Sequence, residues 1–340
     1  MASFYDEWLK AGKEAEAEVQ SAPVAARGRD LKWIETPQDA KVAMIIGRQV
    51  GFPTQGGSLL KAEIPTGWHT GKHRHGEEAV HILAGSGFAM VDGRRYDWRS
   101  GTTFHIPYMA EHQFFNLGPE PAVYVSAMCP DLDFFVKLGR LEQLEEKGLN
   151  PPNVRDLYPA ESSQCAEDGR RIALHLEDAE DENVTGPKDG QHGRVGQQAH
   201  RHGAIWVIMG GNESPSDAAN GFQAKAVAMT EIFEEVALTS SHKHAHTEAM
   251  LYVLEGSGYS EVDGKRYDWE AGDAVHVPPK MTVHEHFNNS ASRTRTLRIE
   301  FGLRFFYEAL WTGYHKVEYR KHSQKLPAEA GTGHSHEHQH

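Results

Sequence analysis

Histidines at the spacing of metal ligands occur in both halves of the sequence. Each half has two histidines separated by a single residue, and a third follows 37 (112 − 75) or 38 (284 − 246) residues later. On a β-strand, residues i and i+2 point to the same face, so each pair can direct two imidazoles at one ion. We therefore predict two metal sites, with these ligands: His73, His75, His112, His244, His246 and His284.

The two sets of histidines lie in an internal repeat. GSGFAMVDGRRYDWRSG begins at Gly85 and GSGYSEVDGKRYDWEAG begins at Gly256, an offset of 171 residues (256 − 85). The same offset superimposes the paired histidines, and a slip of one residue brings the third histidines into register. Agreement at this many positions indicates a duplicated domain.

Each copy has the pattern of a mainly β domain. Short apolar runs such as AVHIL and AMLYVL are interrupted by Gly, Pro and Asp-Gly, which is typical of a sandwich or a closed barrel. Each copy ends in a stretch of helical character, LDFFVKLGRLEQLEEKG in the first and LRFFYEALWTGYHKVEY in the second. The predicted organisation is an N-terminal helical extension (1–34), a first domain (35–148), a linker (149–199), a second domain (200–322) and a His-rich disordered tail (323–340).

Composition and charge narrow the classes of partner. The net charge of −13 disfavours nucleic acid or an anionic membrane as a partner. No apolar run approaches the ~18 residues of a membrane span, and the N-terminus lacks the pattern of a secretory signal. Two cysteines cannot form a disulfide framework, so we expect a cytoplasmic protein. The His-rich tail is interpreted as a disordered end, with weak metal capture as the alternative.

The spacing of glycines, histidines and prolines resembles the two sequence motifs of the cupin superfamily. In the first copy the matching residues are Gly67, His73, His75, Glu78, Gly85, Gly101, Pro107, His112 and Asn116. In the second copy they are Gly272, Pro279, His284 and Asn288, and the leading glycine of the first motif is missing. The chain as a whole is similar to a bicupin, which implies two tandem jelly-roll barrels (double-stranded β-helices) with flanking helices.

The acidic ligand of the cupin motif is ambiguous in this sequence. Glu78 keeps the usual distance to the following glycine but lies one residue too close to the histidine pair, and its repeat equivalent is Ala249. Glu77 and Glu248 are equivalent to each other but off the usual register. We therefore expect three histidines alone as the ligands. The alternatives for Glu77 or Glu78 are an extra ligand, a supporting partner of a ligand, or a salt bridge at the barrel mouth.

Three histidines and a lost glutamate resemble the bicupins of the gentisate, salicylate and 1-hydroxy-2-naphthoate dioxygenase group. The resemblance implies a non-haem, Fe(II)-dependent, extradiol-type ring-cleaving dioxygenase in which a hydroxylated aromatic acid chelates the iron beside O₂. It also implies a homo-oligomer, with the catalytic iron in the first copy. Mn, Ni and Zn are alternative metals, since imidazole binds a range of transition metals. Alternative functions are a manganese enzyme similar to oxalate decarboxylase, a metal-dependent isomerase, and a non-catalytic binding protein.

Other polar residues near the ligands are candidates for substrate contacts. His69, Gln113 and Glu77 are predicted catalytic residues because they flank the histidines, although each could equally be a hydrogen-bonded residue at the barrel mouth. Arginine binds carboxylates through two parallel hydrogen bonds. The candidates for binding a substrate carboxylate are Arg74, Arg95 and Arg48, and the sequence does not choose among them.

Overall fold

The computed structural model describes residues 3–160, 163–179, 205–209, 222–234 and 244–301. In the first half the strands are β1 (Ala25–Ala26), β2 (Lys41–Ile46), β3 (Ser58–Ile64), β4 (Trp68–His69), β5 (Lys72–Arg74), β6 (Glu78–Ala84), β7 (Ser86–Val91), β8 (Arg94–Arg99), β9 (Thr102–Ile106), β10 (His112–Asn116), β11 (Ala122–Met128), β12 (Glu142–Glu145), β13 (Gly148–Leu149) and β14 (Ala173–His175). In the second half they are β15 (Ile205–Met209), β16 (Val227–Glu234), β17 (His244–His246), β18 (Ala249–Glu255), β19 (Ser257–Val262), β20 (Lys265–Glu270), β21 (Ala274–Val277), β22 (Thr282–Phe287) and β23 (Thr294–Phe301). The described helices are α1 (Phe4–Gln20), α2 (Pro130–Phe135) and α3 (Val154–Leu157).

Two antiparallel sheets form each half, as the duplicated β pattern predicts. In the first domain, one sheet has the order β14-β9-β6-β11-β3-β2 and the other is centred on β10, which pairs with β4, β5 and β7. In the second domain the corresponding orders are β1-β21-β18-β23-β16-β15 and β17-β22-β19-β20. The fold is therefore mainly β, with two tandem jelly-roll domains and helices beside them.

Short strands from outside each predicted domain complete the sheets in an equivalent way. β14 pairs with β9 through Ala173 and Phe104, and β1 pairs with β21 through Ala25 and Val275. The predicted linker 149–199 thus contributes a strand to the first domain, and the predicted N-terminal extension contributes one to the second. Helix α1 confirms the helical character of that extension, and it begins at a capping box between Ser3 and Asp6.

The strands that form the contact between the two domains are buried on both faces. On β11, the side chains of Tyr124 and Ser126 point into the first barrel, whereas those of Val125 and Ala127 pack against the second domain. Alternation of side chains explains this division. The shared core between the domains also contains Met229 and Ile299 of the second domain, so the two facing sheets bury one continuous apolar layer.

The helix predicted at the end of the first domain is shorter than the sequence indicated. Helix α2 ends at Phe135, Lys137 adopts a left-handed backbone conformation, and the chain continues as β12 along β5. Within the described residues, no helix is long and apolar enough to cross a membrane. The equivalent helical stretch after the second domain, with the predicted tail, lies outside the described residues.

Candidate metal centre

Four side chains of the first domain converge inside its barrel. β5 and β10 pair antiparallel, with His73 opposite His112, and His75 follows directly after β5. Glu78 is the first residue of β6 and points into the same barrel. One potential ligand atom from each of these four residues lies within 4.8 Å of all the others, and all four residues are buried.

Individual contacts show how closely the ligand atoms approach one another. The Nε2 atoms of His73 and His75 are 2.9 Å apart. Oε2 of Glu78 lies 3.5 Å from Nε2 of His75 and 3.3 Å from Nε2 of His112. Three imidazole nitrogens and one carboxylate oxygen at these separations can all coordinate a single transition-metal ion.

Backbone carbonyls fix the orientation of two of the imidazoles. Nδ1 of His75 donates to the carbonyl of Gly76 over 2.7 Å, and Nδ1 of His112 donates to that of Ala110 over 2.9 Å. This arrangement leaves the lone pair of each Nε2 for a metal, as in proteins whose ligand histidines donate their other nitrogen to a carbonyl. Nε2 of His112 is buried without a hydrogen-bond partner, an arrangement that a bound cation would satisfy.

Electrostatics keep these groups in the protonation states that bind a metal. Burial lowers the pKa of His73 and of His75, so both imidazoles are neutral near pH 7. Burial acts to raise the pKa of Glu78, but the contacts of its carboxylate with His112, His75 and Ser126 outweigh it and the net pKa is lowered. The hydroxyl of Ser126 also donates to the Glu78 carboxylate. Neutral imidazoles and an ionised carboxylate are the ligand forms that a divalent metal requires.

The structure separates the two glutamates that the sequence left open. Glu78 joins the three histidines, so of the two glutamates it is the one placed to act as the extra ligand in the first domain. Glu77 does not approach the cluster: its carboxylate accepts a hydrogen bond of 2.8 Å from His105 and others from backbone amides of 225–227. Adjacent residues at the start of a strand point to opposite faces of the sheet, so Glu77 points toward the other domain whereas Glu78 points into the barrel. A catalytic role for Glu77 is therefore not supported.

His69 and Gln113 lie on the outer face of the sheet that carries the histidines. The side chain of Gln113 contacts Nδ1 of His69 over 3.0 Å and donates to the carbonyl of Thr70. The ring of His69 packs beside Phe115, which belongs to a small outer core with Phe88. Because Gln113 follows His112 directly on β10, its side chain points away from the barrel interior. The structure does not bring either predicted catalytic residue to the candidate centre.

All three predicted carboxylate-binding arginines are engaged elsewhere. Arg74 lies between the paired histidines on β5 and binds Glu142 of β12 at 2.6 Å. The guanidinium of Arg95 stacks over Phe88 at 4.3 Å, and it also binds Asp97. Arg48 forms a surface ion pair with a glutamate of α1. None of these arginines joins the four-residue cluster.

The second domain keeps part of the arrangement. The strand pairing of His244 with His284 repeats that of the first domain, and the rings of His246 and His284 are 4.2 Å apart. Nδ1 of His246 and Nδ1 of His284 lie 2.6 and 2.8 Å from backbone carbonyls, as in the first domain. Ala249 is buried in the position of the first domain's glutamate. The side chain of His244 lies outside the described part of the structure, so the second predicted metal site remains a prediction.

Charged residues inside the second barrel were missed by the sequence reasoning. Arg298 and Glu300 form an ion pair of 3.1 Å, and strand alternation turns both to the barrel interior because Leu297 and Ile299 face the other domain. Glu300 stands opposite Ala249 on the neighbouring strand. The equivalent positions of the first barrel hold Ser126 and Met128. Only the paired register reveals these residues, since no spacing motif includes them.

Comparisons with known proteins agree with the duplicated fold. The model of the family described as Cupin domain matches residues 60–128 and 230–300. Among curated proteins, an uncharacterized protein of Methanocaldococcus jannaschii is 38% identical over 47 residues, which is 14% of this chain and 37% of that protein. The chain therefore spans well under half of that relative.

Solved structures of oxalate decarboxylase from Bacillus subtilis share the architecture. A variant with a Trp-to-Phe substitution matches with a TM-score of 0.60 at 14% identity, covering 82% of this chain and 77% of the other. A structure from a study of the Mn(II) centres of the same enzyme matches with a TM-score of 0.58 over the same shares. At this identity the similarity shows a common fold.

Proposed function

The chain carries two cupin domains in tandem, and on that basis we propose that it is a metal-dependent enzyme acting on a small carboxylate. The reaction type that we place first is that of the manganese oxalate decarboxylases. The observation that carries the proposal is the buried set of His73, His75, Glu78 and His112. Ala249 argues against this class, because it leaves the second domain without the glutamate, whereas the first domain keeps Glu78 beside its histidines.

Three imidazoles and a carboxylate fit a hard divalent ion better than three imidazoles alone would. A carboxylate ligand favours Mn²⁺ or Fe²⁺ relative to Zn²⁺ or Cu²⁺, and it reduces the net charge of the centre. A bound Mn²⁺ or Fe²⁺ would supply Lewis-acid and redox chemistry. The protein's own contribution is to hold the four donors, through carbonyls behind two imidazoles and Ser126 behind Glu78.

Where the structure is described, no buried cationic side chain faces the interior of the first barrel. Arg95 is the one buried lysine or arginine among the described residues, and it lies on the outer face of its sheet. The negative charge of a carboxylate in this barrel would therefore be balanced at the metal centre itself. This arrangement limits the substrate to a small anion that reaches the four ligands directly.

A ring-cleaving dioxygenase is the second candidate. Aromatic side chains line the first barrel, among them Tyr96, Trp98, Phe104 and Phe114, and these would pack against a flat hydroxylated aromatic acid. Under this hypothesis the metal is Fe(II) and the co-substrate is O₂. This alternative corresponds to the gentisate and salicylate dioxygenases that the sequence resembles.

Metal analysis followed by two assays separates the candidates. Protein lacking residues 323–340 would be loaded anaerobically with Mn²⁺ or with Fe²⁺. Release of CO₂ from oxalate by the manganese form supports the first candidate, and O₂ uptake with gentisate or salicylate by the iron form supports the second. The His112→Ala variant is the control, since it removes one ligand. Tight metal binding with neither activity would reject both reactions.

A further inference from the structure

A cavity of about 640 Å³ lies between the two domains, away from the four-residue metal centre. Equivalent residues of the two repeats line it, including Ile82 and Val253, Leu83 and Leu254, and Gly101 and Gly272. Each pair is separated by the repeat offset of 171, so the cavity lies on the pseudo-two-fold axis that relates the domains. We call this space the inter-domain cavity.

Lys61 breaks the symmetry of the inter-domain cavity. It lies on β3 and faces the second domain, in one row with Val125 and His81. Its equivalent in the second domain by strand pairing is Glu231, which stands opposite Leu297 as Lys61 stands opposite Val125. Its Nζ atom is 6.0 Å from the ring centroid of Tyr252. One wall of the cavity therefore carries an ammonium group where the second domain has a carboxylate that is already bound by Arg295.

The ammonium group of Lys61 has no counter-ion in the described part of the structure. Among the described residues it forms no ion pair, and the nearby Glu63 is bound by Lys41 at 3.4 Å. Lys61 is partly buried, and this burial lowers the pKa of its ammonium group. A partly desolvated charge without a partner is costly, and binding of an anion would relieve that cost.

The other charged groups at the cavity already have partners. Arg295 binds the buried Glu231 at 2.6 Å, and Glu177 at the rim is held by Arg99. Burial and the charge of Arg295 lower the pKa of His81 to about 3, so this imidazole is neutral and contacts Thr103. Lys61 is therefore the group that would pair with an incoming anion.

The remaining lining is suited to an apolar body. Leu83, Leu254 and Leu176 are only partly buried against the shared core, so each leaves apolar surface facing the cavity. We propose that the inter-domain cavity binds a small organic carboxylate, with the carboxylate paired to Lys61 and the apolar part packed between Leu83 and Leu254. Cavities of this volume that combine apolar walls with a few placed polar groups are typical small-molecule sites. The proposal does not depend on the reaction performed at the metal centre.

Calorimetric titration of the full-length protein with benzoate tests the proposal. We expect one benzoate per chain, no comparable binding of benzyl alcohol, and an affinity at least roughly ten-fold lower in Lys61→Met, since a charge-assisted contact is lost. Lys41→Met is the matched control, because that lysine is on the same sheet but paired with Glu63, and it should bind benzoate normally. Equal binding by both lysine variants would overturn the proposal.

Two further variants separate the cavity from the metal centre. Ala271→Trp places a large ring at the exposed rim of the cavity and should abolish benzoate binding. His112→Ala removes a predicted metal ligand and should leave benzoate binding unchanged. If His112→Ala abolishes binding while Ala271→Trp and Lys61→Met retain it, benzoate binds at the metal centre and the inter-domain site is rejected.

Discussion

Glu77 and Glu248 hold equivalent positions in the two domains, and each binds the backbone of the other domain. Glu248 accepts a hydrogen bond of 2.8 Å from the amide of Gln55, and Glu77 accepts from the amides of 225–227, which include the repeat equivalent of Gln55. Each glutamate also contacts the equivalent histidine, His105 or His276, at 2.8 Å. The duplication has therefore produced a reciprocal pair of contacts that locks the two domains together.

Replacing either glutamate should destabilise the contact between the domains. In Glu77→Ala and in Glu248→Ala, buried amides and one imidazole lose their acceptor, which costs about 1–3 kcal/mol for each variant. Urea unfolding followed by tryptophan fluorescence measures the loss. Glu63→Ala is the matched control, since it removes a glutamate whose ion pair with Lys41 is partly exposed and contributes little to stability. Unchanged stability in both buried variants would show that the reciprocal contacts do not hold the domains.

The stability of the first domain should depend on the ionisation of Asp39. Burial raises the pKa of this carboxyl from 3.8 to about 7, against the opposing effect of the hydrogen bond from Tyr124. A raised folded pKa means that its stabilising contribution is complete below pH 3.8 and is lost as the pH rises through 7.

The isosteric variant Asp39→Asn removes this dependence. Relative to the unmodified protein, the variant should gain stability between pH 4 and pH 8, by an amount on the order of 4 kcal/mol at most. Thermal unfolding at a series of pH values measures the difference between the two proteins. A difference that is constant across this range would contradict the raised pKa.

Much of the site could be predicted because strand alternation and the repeat act locally. The pairing of His73 with His75 follows from the two-residue period, and the repeat, with its slip of one residue, identifies His112. The same alternation excludes Gln113, which follows His112, although the sequence reasoning did not apply it there. Glu77 and Glu78 stand at the start of β6, and no periodic pattern precedes them. Alternation therefore could not decide which of the two glutamates points into the barrel. That choice is decided by amides of the other domain, whose position no local sequence pattern encodes.

Self-association should depend on the exposed apolar side chains near α2. Phe134 is 45% and Phe135 is 80% exposed, and Leu138 beside them is 74% exposed. Exposed apolar clusters of this kind mark interaction surfaces, and the sequence resemblance predicts a homo-oligomer. Phe135→Asp should therefore shift the protein to a smaller species in light scattering coupled to gel filtration. Val50→Asp, at an exposed apolar residue outside the cluster, is the control. An unchanged mass in Phe135→Asp would exclude this surface from assembly.

Metal binding by the two domains should differ in strength. The first domain offers a carboxylate with its histidines, whereas Ala249 occupies the corresponding place in the second. In protein lacking residues 323–340, dialysis against a weak chelator should leave one Mn²⁺ per chain. His112→Ala should lose this ion and His284→Ala should retain it. Loss in His284→Ala with retention in His112→Ala would assign the tighter site to the second domain.

Glu78 should determine which metal the first domain prefers. Its carboxylate lies 3.3 Å from Nε2 of His112 and is the single oxygen donor in a cluster of imidazoles. Mn²⁺ depends strongly on carboxylate ligands, whereas Zn²⁺ binds well to imidazoles alone. Glu78→Gln should therefore weaken Mn²⁺ binding roughly ten-fold or more, the scale of a lost charged contact, and weaken Zn²⁺ binding less. Competition titrations with a chromogenic chelator measure both affinities.

Glu77→Gln is the matched control, because the carboxylate of Glu77 serves the domain contact, and this variant should leave both metal affinities unchanged. A parallel loss of Mn²⁺ and Zn²⁺ affinity in Glu78→Gln would show that the glutamate shapes the site without selecting the metal.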